Sequence, residues 1–276
     1  MKITLKLNAI LFSFVLISSC QKKYSMNDSE KSFDKDAEQF FTNSGITDVT
    51  QKDAINDFVL QLKDNSLWEK FYAIYPMVGG TEAAAKCNLK DPRNLDAAYR
   101  LTFSGQPVFA GTGVLFPTSS DYADTHFTDS TLNYKNSAIS YYSRTENTII
   151  GYDMGCTDGA WPYNQLTVYS DLSQPAYLSA WLGNILNIST PNTTGLFMLS
   201  SSEINITLYR NGVNLGSSDE EPNAYFTGLT ILIGASREGP SGQRECALAT
   251  IGESLTDTQS LKFYQIVQNF EDDLGR

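Results

Sequence analysis

The clearest hairpin pattern in the sequence is Ile204-Asn205-Ile206-Thr207-Leu208-Tyr209-Arg210-Asn211-Gly212-Val213-Asn214-Leu215. Aliphatic, β-branched and aromatic residues lie on both sides of its Asn-Gly pair. Asn and Gly both tolerate the positive φ angles that a two-residue type I′ turn requires. The stretch therefore predicts a β-hairpin whose two strands are joined at Asn211-Gly212.

Short runs of β-branched and aromatic residues recur around this hairpin from about Asp96 onward, and Gly, Asn, Ser and Pro separate them. Short strands at such intervals predict a β-sandwich or a barrel. The further predicted strands are Ala98–Phe103, Ile139–Ser143, Asn147–Tyr152, Leu166–Tyr169, Leu229–Ala235 and Glu245–Ile251.

Helical patterns precede and follow the predicted strands. A one-sided apolar stripe runs from Phe33 and should stop at Gly45, a second follows a predicted N-cap at Thr50, and a third follows a capping-box pattern at Ser66. Near the other end, a capping box at Thr256 leads into another apolar face. We expect these aromatic-rich faces to pack onto the sandwich; the alternative is that they line a binding groove.

Three segments resemble the laminin-G-like, concanavalin A-like jelly roll: the hairpin at 206–213, the strand at 232–235, and 249–259 leading into a helix. They follow the order of that family's hairpin, strand and closing helix. The resemblance covers roughly 97–270. It implies a mainly β fold, a concanavalin A-like jelly-roll β-sandwich with short N-terminal helices and a C-terminal helix. Separately, 89–101 resembles a segment of uncharacterised proteins from Bacteroidetes and their phages.

The first twenty residues have the order of a secretory signal: two lysines, an apolar run over 9–17, then small residues before a cysteine. The apolar run is shorter than the ~20 residues that span a bilayer as a helix. Ile17-Ser18-Ser19-Cys20 resembles the lipobox of bacterial lipoproteins, which implies cleavage after Ser19 and lipidation of Cys20. The alternative is an ordinary signal peptide with an incidental cysteine.

The chain divides into a signal peptide (1–19), a lipidated cysteine with a flexible tether (20–36), a short helical segment (37–76) and a β-sandwich with its closing helix (77–276). The tether is polar and mixed in charge, so it cannot bury a core. Gln21 stands where aspartate would favour inner-membrane retention. We therefore expect an outer-membrane location in the cell envelope, and leave open whether the protein faces the periplasm or the outside.

The charge of the chain argues against nucleic acid as a partner. The net charge is −11, and the signal that would be removed carries two lysines and no acids. A phosphate backbone would be repelled by such a chain. The partners that we expect are the membrane, through the lipid anchor, and a glycan or a surface protein.

Three cysteines remain when Cys20 is lipidated: Cys87, Cys156 and Cys246. An exported compartment permits disulfides, and three thiols allow one bridge and one free thiol. The spacing does not choose the pair. With a single histidine, His126, and no C-x-x-C motif, we expect no zinc site built from His and Cys.

No hydrolase motif in the sequence is complete. Glycosidases of this superfamily resemble one another in an E-x-D-x-x-E strand that aims two carboxylates at one glycosidic bond. The E-x-D here, Glu271-Asp272-Asp273, lies in the predicted C-terminal helix and lacks the third acid. His126 stands in a segment predicted as a loop, without a G-x-S-x-G elbow. We therefore expect a protein that is not an enzyme, with a polysaccharide hydrolase as the least favoured alternative.

Calcium is the cofactor that the resemblance suggests, since many laminin-G-like domains carry a rim calcium held by acids and carbonyl oxygens. Asp121, Asp124 and Asp129 form the favoured acidic cluster, in a segment predicted as a loop, and 219–221 form another. Neither cluster has EF-hand spacing. The alternative is that both are solvated loop charges.

The candidate ligand site is Trp161 with Tyr163, Asn164 and Gln165, in a segment after Asp158-Gly159 that is predicted as a loop. Aromatic rings stack on the apolar face of a pyranose, and amide side chains hydrogen-bond its hydroxyl groups. The sequence thus favours a lipid-anchored module that binds a carbohydrate or another surface ligand. The alternative is a structural or protein-interaction module of the cell surface, or of phage-related origin, without sugar binding.

Overall fold

The computed structural model describes the ranges 32–149, 151–156, 164–171, 174–182, 186–190, 192–218, 228–236 and 240–276, with the single residue 222. For 164–171, 174–182, 186, 187 and 189 the description covers the backbone alone. The predicted signal peptide, Cys20 and most of the tether lie outside these residues. Phe33–Arg276 form one compact unit.

Four α-helices and fifteen strands lie within the described ranges. The helices are α1 Lys35–Ser44, α2 Val49–Asp64, α3 Glu82–Ala85 and α4 Asp257–Asp273. The strands are β1 Phe71–Tyr75, β2 Thr102–Ser104, β3 Val108–Ala110, β4 Gly113–Leu115, β5 Tyr122–Thr128, β6 Ser137–Ser143, β7 Met154–Cys156, β8 Asn164–Asp171, β9 Gln174–Leu182, β10 Leu186–Ser189, β11 Gly195–Ser201, β12 Ile206–Arg210, β13 Val213–Ser217, β14 Thr230–Ile233 and β15 Glu245–Gly252. None of the described helices combines the length and the apolar character that crossing a bilayer requires.

The strands form two antiparallel sheets that face each other. The first sheet has the order β13-β12-β11-β6-β15-β4-β3, and β1 also pairs with β15. The second sheet has the order β10-β9-β8-β7-β14-β5-β2. Apolar side chains from both sheets form one core cluster between them. The expected mainly β sandwich with N-terminal helices and a C-terminal helix is confirmed.

β12 and β13 form the predicted hairpin. Asn211 and Gly212 have φ angles of 51° and 73°, as a type I′ turn requires. A Cβ on Gly212 would lie 2.7 Å from Leu261 Cα and 3.0 Å from the Ser260 carbonyl oxygen, both in α4. Glycine is therefore needed here for the turn and for the close approach of the C-terminal helix.

Three of the predicted helices are present as α1, α2 and α4. α1 ends at Gly45, whose φ of 74° is left-handed. α2 begins after Asp48, whose side chain accepts a hydrogen bond from a backbone N–H of the first turn at 2.9 Å, so the predicted cap at Thr50 is wrong by two residues. The predicted capping box at Thr256 starts α4.

The third predicted N-terminal helix is wrong. Ser66, its predicted cap, has a positive φ of 56°, and the chain continues as a short 3-10 turn and then as β1. Ile74 of β1 lies opposite Thr250 of β15. This part of β15 is buried, so its backbone groups need a partner strand, and that requirement outweighs the local helical pattern. The first sheet therefore begins with β1 at Phe71, before residue 77, where the sandwich was predicted to start.

Two predicted strands and one predicted loop are also wrong. Within Ala98–Phe103, Tyr99 is left-handed with a φ of 58°, and only the end of the stretch lies in β2. The described residues of Asn147–Tyr152 lie outside the strands, apart from an isolated bridge at Tyr152. The predicted loop at 121–126 lies mostly in β5, whose burial alternates as in a strand with one buried face.

The first sheet is buried on both faces, and this burial positions the helices. Its inner face contributes to the core between the sheets, whereas Leu196, Met198 and Leu248 on its outer face pack with the helices. Phe58 of α2 stacks on Phe270 of α4 with ring centroids 4.6 Å apart. The aromatic-rich helix faces therefore pack onto the sandwich, as expected.

Two buried arginines, each paired with a carboxylate, connect elements that are distant in sequence. Arg276 Nε donates to Glu271 Oε2 at 2.8 Å, and Arg276 also donates to the Ala247 carbonyl oxygen at 3.1 Å, which joins the end of α4 to β15. Between the sheets, Arg244 Nη1 lies 3.2 Å from Asp153 Oδ1, and both side chains are buried. Removing one partner of such a pair costs about 3–5 kcal/mol, because the other charge is left buried.

The cysteines of the described ranges, Cys87, Cys156 and Cys246, are buried free thiols. Burial raises the pKa of the Cys246 thiol well above its ordinary value. Burial also raises the pKa of the Cys87 thiol. Because the thiolate is the reactive form, these thiols should react slowly in the folded protein. None of the disulfide pairings that the sequence allowed is formed among them.

We predict that Ellman's reagent titrates none of these three cysteines in native Cys20→Ser protein and all three after denaturation in guanidinium chloride. Unfolding exposes free thiols, whereas a disulfide would hide two of the three. The Cys20→Ser change removes the fourth cysteine from the count. One thiol in denaturant, rising to three after reduction, would contradict the structure.

Phe263→Ala should lower the free energy of unfolding by about 3–5 kcal/mol, the usual cost of truncating a core aromatic residue. Phe263 is fully buried, and its ring centroid lies 4.9 Å from that of Phe71. Leu261→Ala on the same helix is the matched control: Leu261 is 44% exposed, and its truncation should cost less than about 0.5 kcal/mol. Urea unfolding followed by circular dichroism measures both. Equal losses would show that α4 does not pack through Phe263.

Candidate functional site

A polar cleft lies beside β12 and β13 where α4 begins, and we call it the hairpin cleft. Its volume is about 380 Å³. Most of its lining side chains carry a hydroxyl or an amide, and the others are one carboxylate, one phenol and two aliphatic chains. The lining residues are Ser200, Ser202, Ile204, Asn205, Thr207, Tyr209, Asn214, Ser217, Ser254, Leu255, Thr256 and Asp257.

Strand register places three of the hydroxyl residues in a row. Ser200 of β11 lies opposite Thr207 of β12, and Thr207 lies opposite Ser217 of β13. Directly paired residues of antiparallel strands lie on the same face. Met198 and Tyr209, two positions along the same strands, pack with the helices. The hairpin cleft is therefore the part of this outer face that lies beyond the start of α4.

Contacts among the lining groups hold this row in place. The hydroxyl oxygens of Thr207 and Ser217 are 2.8 Å apart. Ser200 Oγ accepts a hydrogen bond from the Leu255 N–H at 3.0 Å and donates to the Leu255 carbonyl oxygen at 3.2 Å. Ser200 and Thr207 are 4% and 6% exposed, whereas Ser217 is exposed, so Ser217 is the member of the row that a ligand in the cleft can reach directly.

Asp257 supplies the carboxylate of the hairpin cleft. Its Oδ1 accepts hydrogen bonds from the Tyr209 hydroxyl at 2.7 Å and from Asn214 Nδ2 at 3.3 Å. The described residues donate no hydrogen bond to Oδ2. Burial raises the pKa of Tyr209 to about 12, and the neighbouring Asp257 adds to the rise. Tyr209 is therefore protonated near neutral pH and remains a donor to Asp257.

The chemistry of the hairpin cleft suits a ligand with many hydroxyl groups. Ile204, which is 68% exposed, adds apolar surface at its rim. The residues that line the cleft include one carboxylate and no histidine. They therefore contain no pair of acids of the kind that glycoside hydrolysis requires.

Two of the four predicted ligand residues, Trp161 and Tyr163, lie outside the described residues. Asn164 and Gln165 are the first residues of β8, so the predicted loop ends before them. Their backbones pair with β7, and nothing is described of their side chains. The segment 157–163 thus joins the end of β7 to the start of β8.

β7 ends and β8 begins at the end of the sandwich where the hairpin cleft lies. β7 ends beside the start of β14, which lies opposite Thr128 at the end of β5. From Thr128 a short connection reaches Ser137 at the start of β6, and Ser137 lies opposite Ser201, next to the cleft residue Ser200.

The three aspartates predicted as calcium ligands are not brought together. Asp121 and Asp129 flank opposite ends of β5, roughly 26 Å apart at the usual rise of a strand, and Asp124 lies within β5. Among the described residues, no three His, Cys, Asp or Glu side chains are grouped as ligands for a metal ion. The second acidic cluster, 219–221, lies outside the described ranges.

Asp121 has a structural role in the fold. It is 1% exposed, and its carboxylate accepts the Gln106 N–H at 2.8 Å and the Thr118 N–H at 2.6 Å. Burial opposes its ionisation, but these hydrogen bonds outweigh burial and hold the pKa of Asp121 below its usual value. Asp129 likewise accepts the Gly228 N–H at 2.8 Å.

His126 does not form a catalytic triad with its described neighbours. Its Nε2 lies 2.8 Å from Thr102 Oγ1 and 3.5 Å from Asp96 Oδ1. In a triad the nucleophile and the acid contact different ring nitrogens, whereas both contacts here are made by the same one. The incomplete E-x-D motif is structural as well, since Glu271 is buried and paired with Arg276.

The hairpin cleft was not predicted from the sequence. Its residues come from three separate stretches: the end of β11, the hairpin, and the residues around Asp257. The signal that could have indicated it is the run of three serines at 200–202, together with Thr207 and Ser217 in the hairpin. Without the strand register, nothing in the sequence places these hydroxyl groups side by side.

No family model matches the sequence, and no match was found among curated proteins. Among solved structures, domain 4 of AbnA, a GH43 extracellular arabinanase from Geobacillus stearothermophilus in complex with arabinotriose, is similar with a TM-score of 0.53 and 13% sequence identity. The match covers 71% of this chain and 98% of that one. A mutant of Trypanosoma rangeli sialidase displaying trans-sialidase activity is similar with a TM-score of 0.51 and 8% identity, over 81% of this chain. This chain spans 40% of the sialidase's length, and both likenesses concern the fold alone.

The raised pKa of Tyr209 predicts a loss of stability at alkaline pH. The pKa of Tyr209 is about 12 in the folded protein, against an ordinary value of 10.0. Its contribution to the free energy of unfolding is therefore complete below pH 10 and is lost as the pH rises to 12. Tyr209→Phe should flatten the decline of unfolding free energy across this window, and Tyr122→Phe on the second sheet serves as the control. An equally steep decline in the wild type and in Tyr209→Phe would contradict the assignment.

Proposed function

We propose that this protein is a lipid-anchored carbohydrate-binding module of the cell envelope, and that the hairpin cleft holds the sugar. One observation carries the proposal. The row of hydroxyl groups at Ser200, Thr207 and Ser217 lies in the same cleft as the Asp257 carboxylate, whose Oδ2 has no donor among the described residues.

The groups of the hairpin cleft match those of a saccharide. Sugar hydroxyls both donate and accept hydrogen bonds, and Ser, Thr and Asn side chains offer both capacities in return. Asp257 Oδ2 would accept the strongest of these bonds, because hydrogen bonds to a charged acceptor are about twice as strong as neutral ones. Ile204 would contact an apolar face of the ring. The cleft's volume of about 380 Å³ falls in the range of small-ligand pockets.

We propose in addition that Trp161 and Tyr163 contact the same glycan. The strands that flank 157–163 in sequence support this: β7 ends and β8 begins at the end of the sandwich where the hairpin cleft lies. An aromatic ring there would stack on a second sugar unit. Asn164 and Gln165 follow at the start of β8.

The similarity to the arabinanase domain supports this proposal at the level of fold. That domain was solved in complex with arabinotriose, so a sandwich of this kind accommodates an oligosaccharide there. We propose binding without catalysis, since the lining residues of the hairpin cleft supply one carboxylate. We propose a class of ligand, a carbohydrate with exposed hydroxyl groups, and no particular sugar.

The anchor belongs to the proposal as well. Its support is the order of the N-terminal sequence: two lysines, an apolar run and the lipobox-like Ile17-Ser18-Ser19-Cys20. Lipid on Cys20 would hold the module at the outer membrane, with the intervening residues as the tether. Several acyl chains on one cysteine exceed the two-signal threshold for stable membrane residence.

We predict that Asp257→Asn weakens glycan binding by about 10- to 100-fold, which corresponds to the ~1.5–3 kcal/mol of a hydrogen bond to a charged group. A glycan array identifies the ligand, and isothermal titration calorimetry on the purified protein measures the affinity. Asn214→Ala should weaken binding less, because Asn214 contacts Asp257 at 3.3 Å and is itself neutral. Asn43→Ala, an exposed amide of α1, is the matched control and should leave affinity unchanged.

Two results would count against this proposal in different ways. Glycan binding that is lost in Trp161→Ala but kept in Asp257→Asn would move the site from the hairpin cleft to the segment 157–163. A blank array, combined with co-purification of a defined protein, would favour the protein-interaction module instead.

A further inference from the structure

The charge of the hairpin cleft has one sign. Asp257 is the charged residue among those that line the cleft, and no Lys, Arg or His takes part in the lining. None of the described cations forms an ion pair with Asp257. Glu203, which is exposed and lies between the lining residues Ser202 and Ile204 in sequence, adds negative charge at the rim. A ligand therefore enters an anionic environment.

The side chains around Asp257 present two acceptor oxygens to a ligand. Tyr209 and Asn214 both donate to Asp257 Oδ1, so Oδ2 keeps its lone pairs. The Asn214 amide turns its Nδ2 toward the carboxylate to make this contact, which leaves its own Oδ1 without a donor among the described residues. Asp257 and Asn214 are both exposed. The two free oxygens belong to groups in direct contact, so the donors of one sugar unit can reach both.

We propose that the hairpin cleft prefers an amino sugar, whose free ammonium group donates to Asp257 Oδ2. This inference rests on the proposed function and narrows its class of ligand. A sugar hydroxyl offers one donor, whereas an ammonium group carries a full positive charge, three donors and no acceptor. An ammonium group therefore matches a site that holds a carboxylate, a free amide oxygen and no cation.

Hydroxyl groups of the same ligand have a partner in Ser217, which is exposed. Ser217 and Asn214 lie on the same face of the hairpin, because their partners Thr207 and Tyr209 are two positions apart along β12. The bulge between these pairs keeps both residues on the face that lines the cleft. A sugar whose ammonium group binds Asp257 would therefore find a neutral partner for its hydroxyl groups beside it.

The same negative charge acts against acidic sugars. A ligand carboxylate about 4 Å from Asp257 would be repelled, which corresponds to about a fivefold loss of affinity at the dielectric constant of water and more where water is displaced. The start of α4 counteracts this repulsion in part, because a helix N-terminus carries about half a positive charge. Asp257 carries a whole negative charge in the first turn of that helix, so the net effect on a ligand anion is repulsion.

The test compares three tetramers that share the β-1,4 linkage and differ in one group per sugar unit: those of glucosamine, glucose and glucuronate. Isothermal titration calorimetry of the purified protein, below the pKa of the glucosamine amino group, measures each affinity. We expect the glucosamine tetramer to bind roughly fivefold or more tightly than the glucose tetramer, and the glucuronate tetramer to bind most weakly. The preference for glucosamine should shrink as salt is added, because salt screens the charges.

Asp257→Asn should reduce the preference for glucosamine over glucose to within about twofold, because it removes the charge and keeps an acceptor oxygen for Tyr209. Asp273→Asn is the matched control: it removes one exposed carboxylate from the other end of the same helix and should keep the wild-type preference. Near-ultraviolet circular dichroism checks that both variants keep the fold. The salt dependence of the wild-type protein is a second measurement that needs no variant.

Equal affinity of the wild type for the glucosamine and glucose tetramers, a preference that persists in Asp257→Asn, or tightest binding of the glucuronate tetramer would overturn this inference. Binding of another glycan on the array without any binding of the glucosamine tetramer would also overturn it, and would leave the proposed function standing. A blank array would instead overturn the proposed function, and this inference with it.

Discussion

The architecture depends on a sheet that must be covered on both faces. β11, β12 and β15 are buried along almost their whole length, so they lack the alternation of a strand with one wet face. The second sheet covers one face. The other face carries the apolar side chains of Leu196, Met198 and Leu248. Leaving such apolar surface in water would cost about 25 cal/mol per Å². α2 and α4 cover it, and the stacked rings of Phe58 and Phe270 join the two helices to each other. The N-terminal and C-terminal helices are therefore part of one core with the sandwich.

The hairpin cleft lies where this helical cover stops. α4 begins at Asp257, and the ends of β11, β12 and β13 beyond it carry hydroxyl residues in place of apolar ones, which forms the hairpin cleft. The strands that line the hairpin cleft are fixed by core packing, so the polar side chains of the cleft are held by rigid elements. Binding there requires little reorganisation of the backbone.

The buried charges show how the same constraint assigns structural roles to residues that a motif search would read as functional. Glu271, part of the incomplete E-x-D, is buried with Arg276, and burial raises its pKa although Arg276 and Arg144 oppose the rise. Asp121, a predicted calcium ligand, accepts a backbone N–H with each of its two carboxylate oxygens. The fold resembles that of the arabinanase domain and of the sialidase, but a fold does not imply a function, so the proposed glycan binding rests on the side chains of the hairpin cleft.

Features that arise from neighbours along the chain could be predicted from the sequence. The turn at Asn211-Gly212, the left-handed stop at Gly45 and the capping box at Thr256 depend on local backbone preferences and side-chain hydrogen bonds, and all three are present. The jelly-roll class followed from the order of such features together with the family resemblance. Other features depend on contacts between distant parts of the chain. The helical pattern after Ser66 lost to pairing of β1 with β15, because buried backbone groups must find partners. The hairpin cleft likewise required the register of three strands and the start of α4, and register is set by which faces are buried, a property of the whole sandwich and of no single stretch.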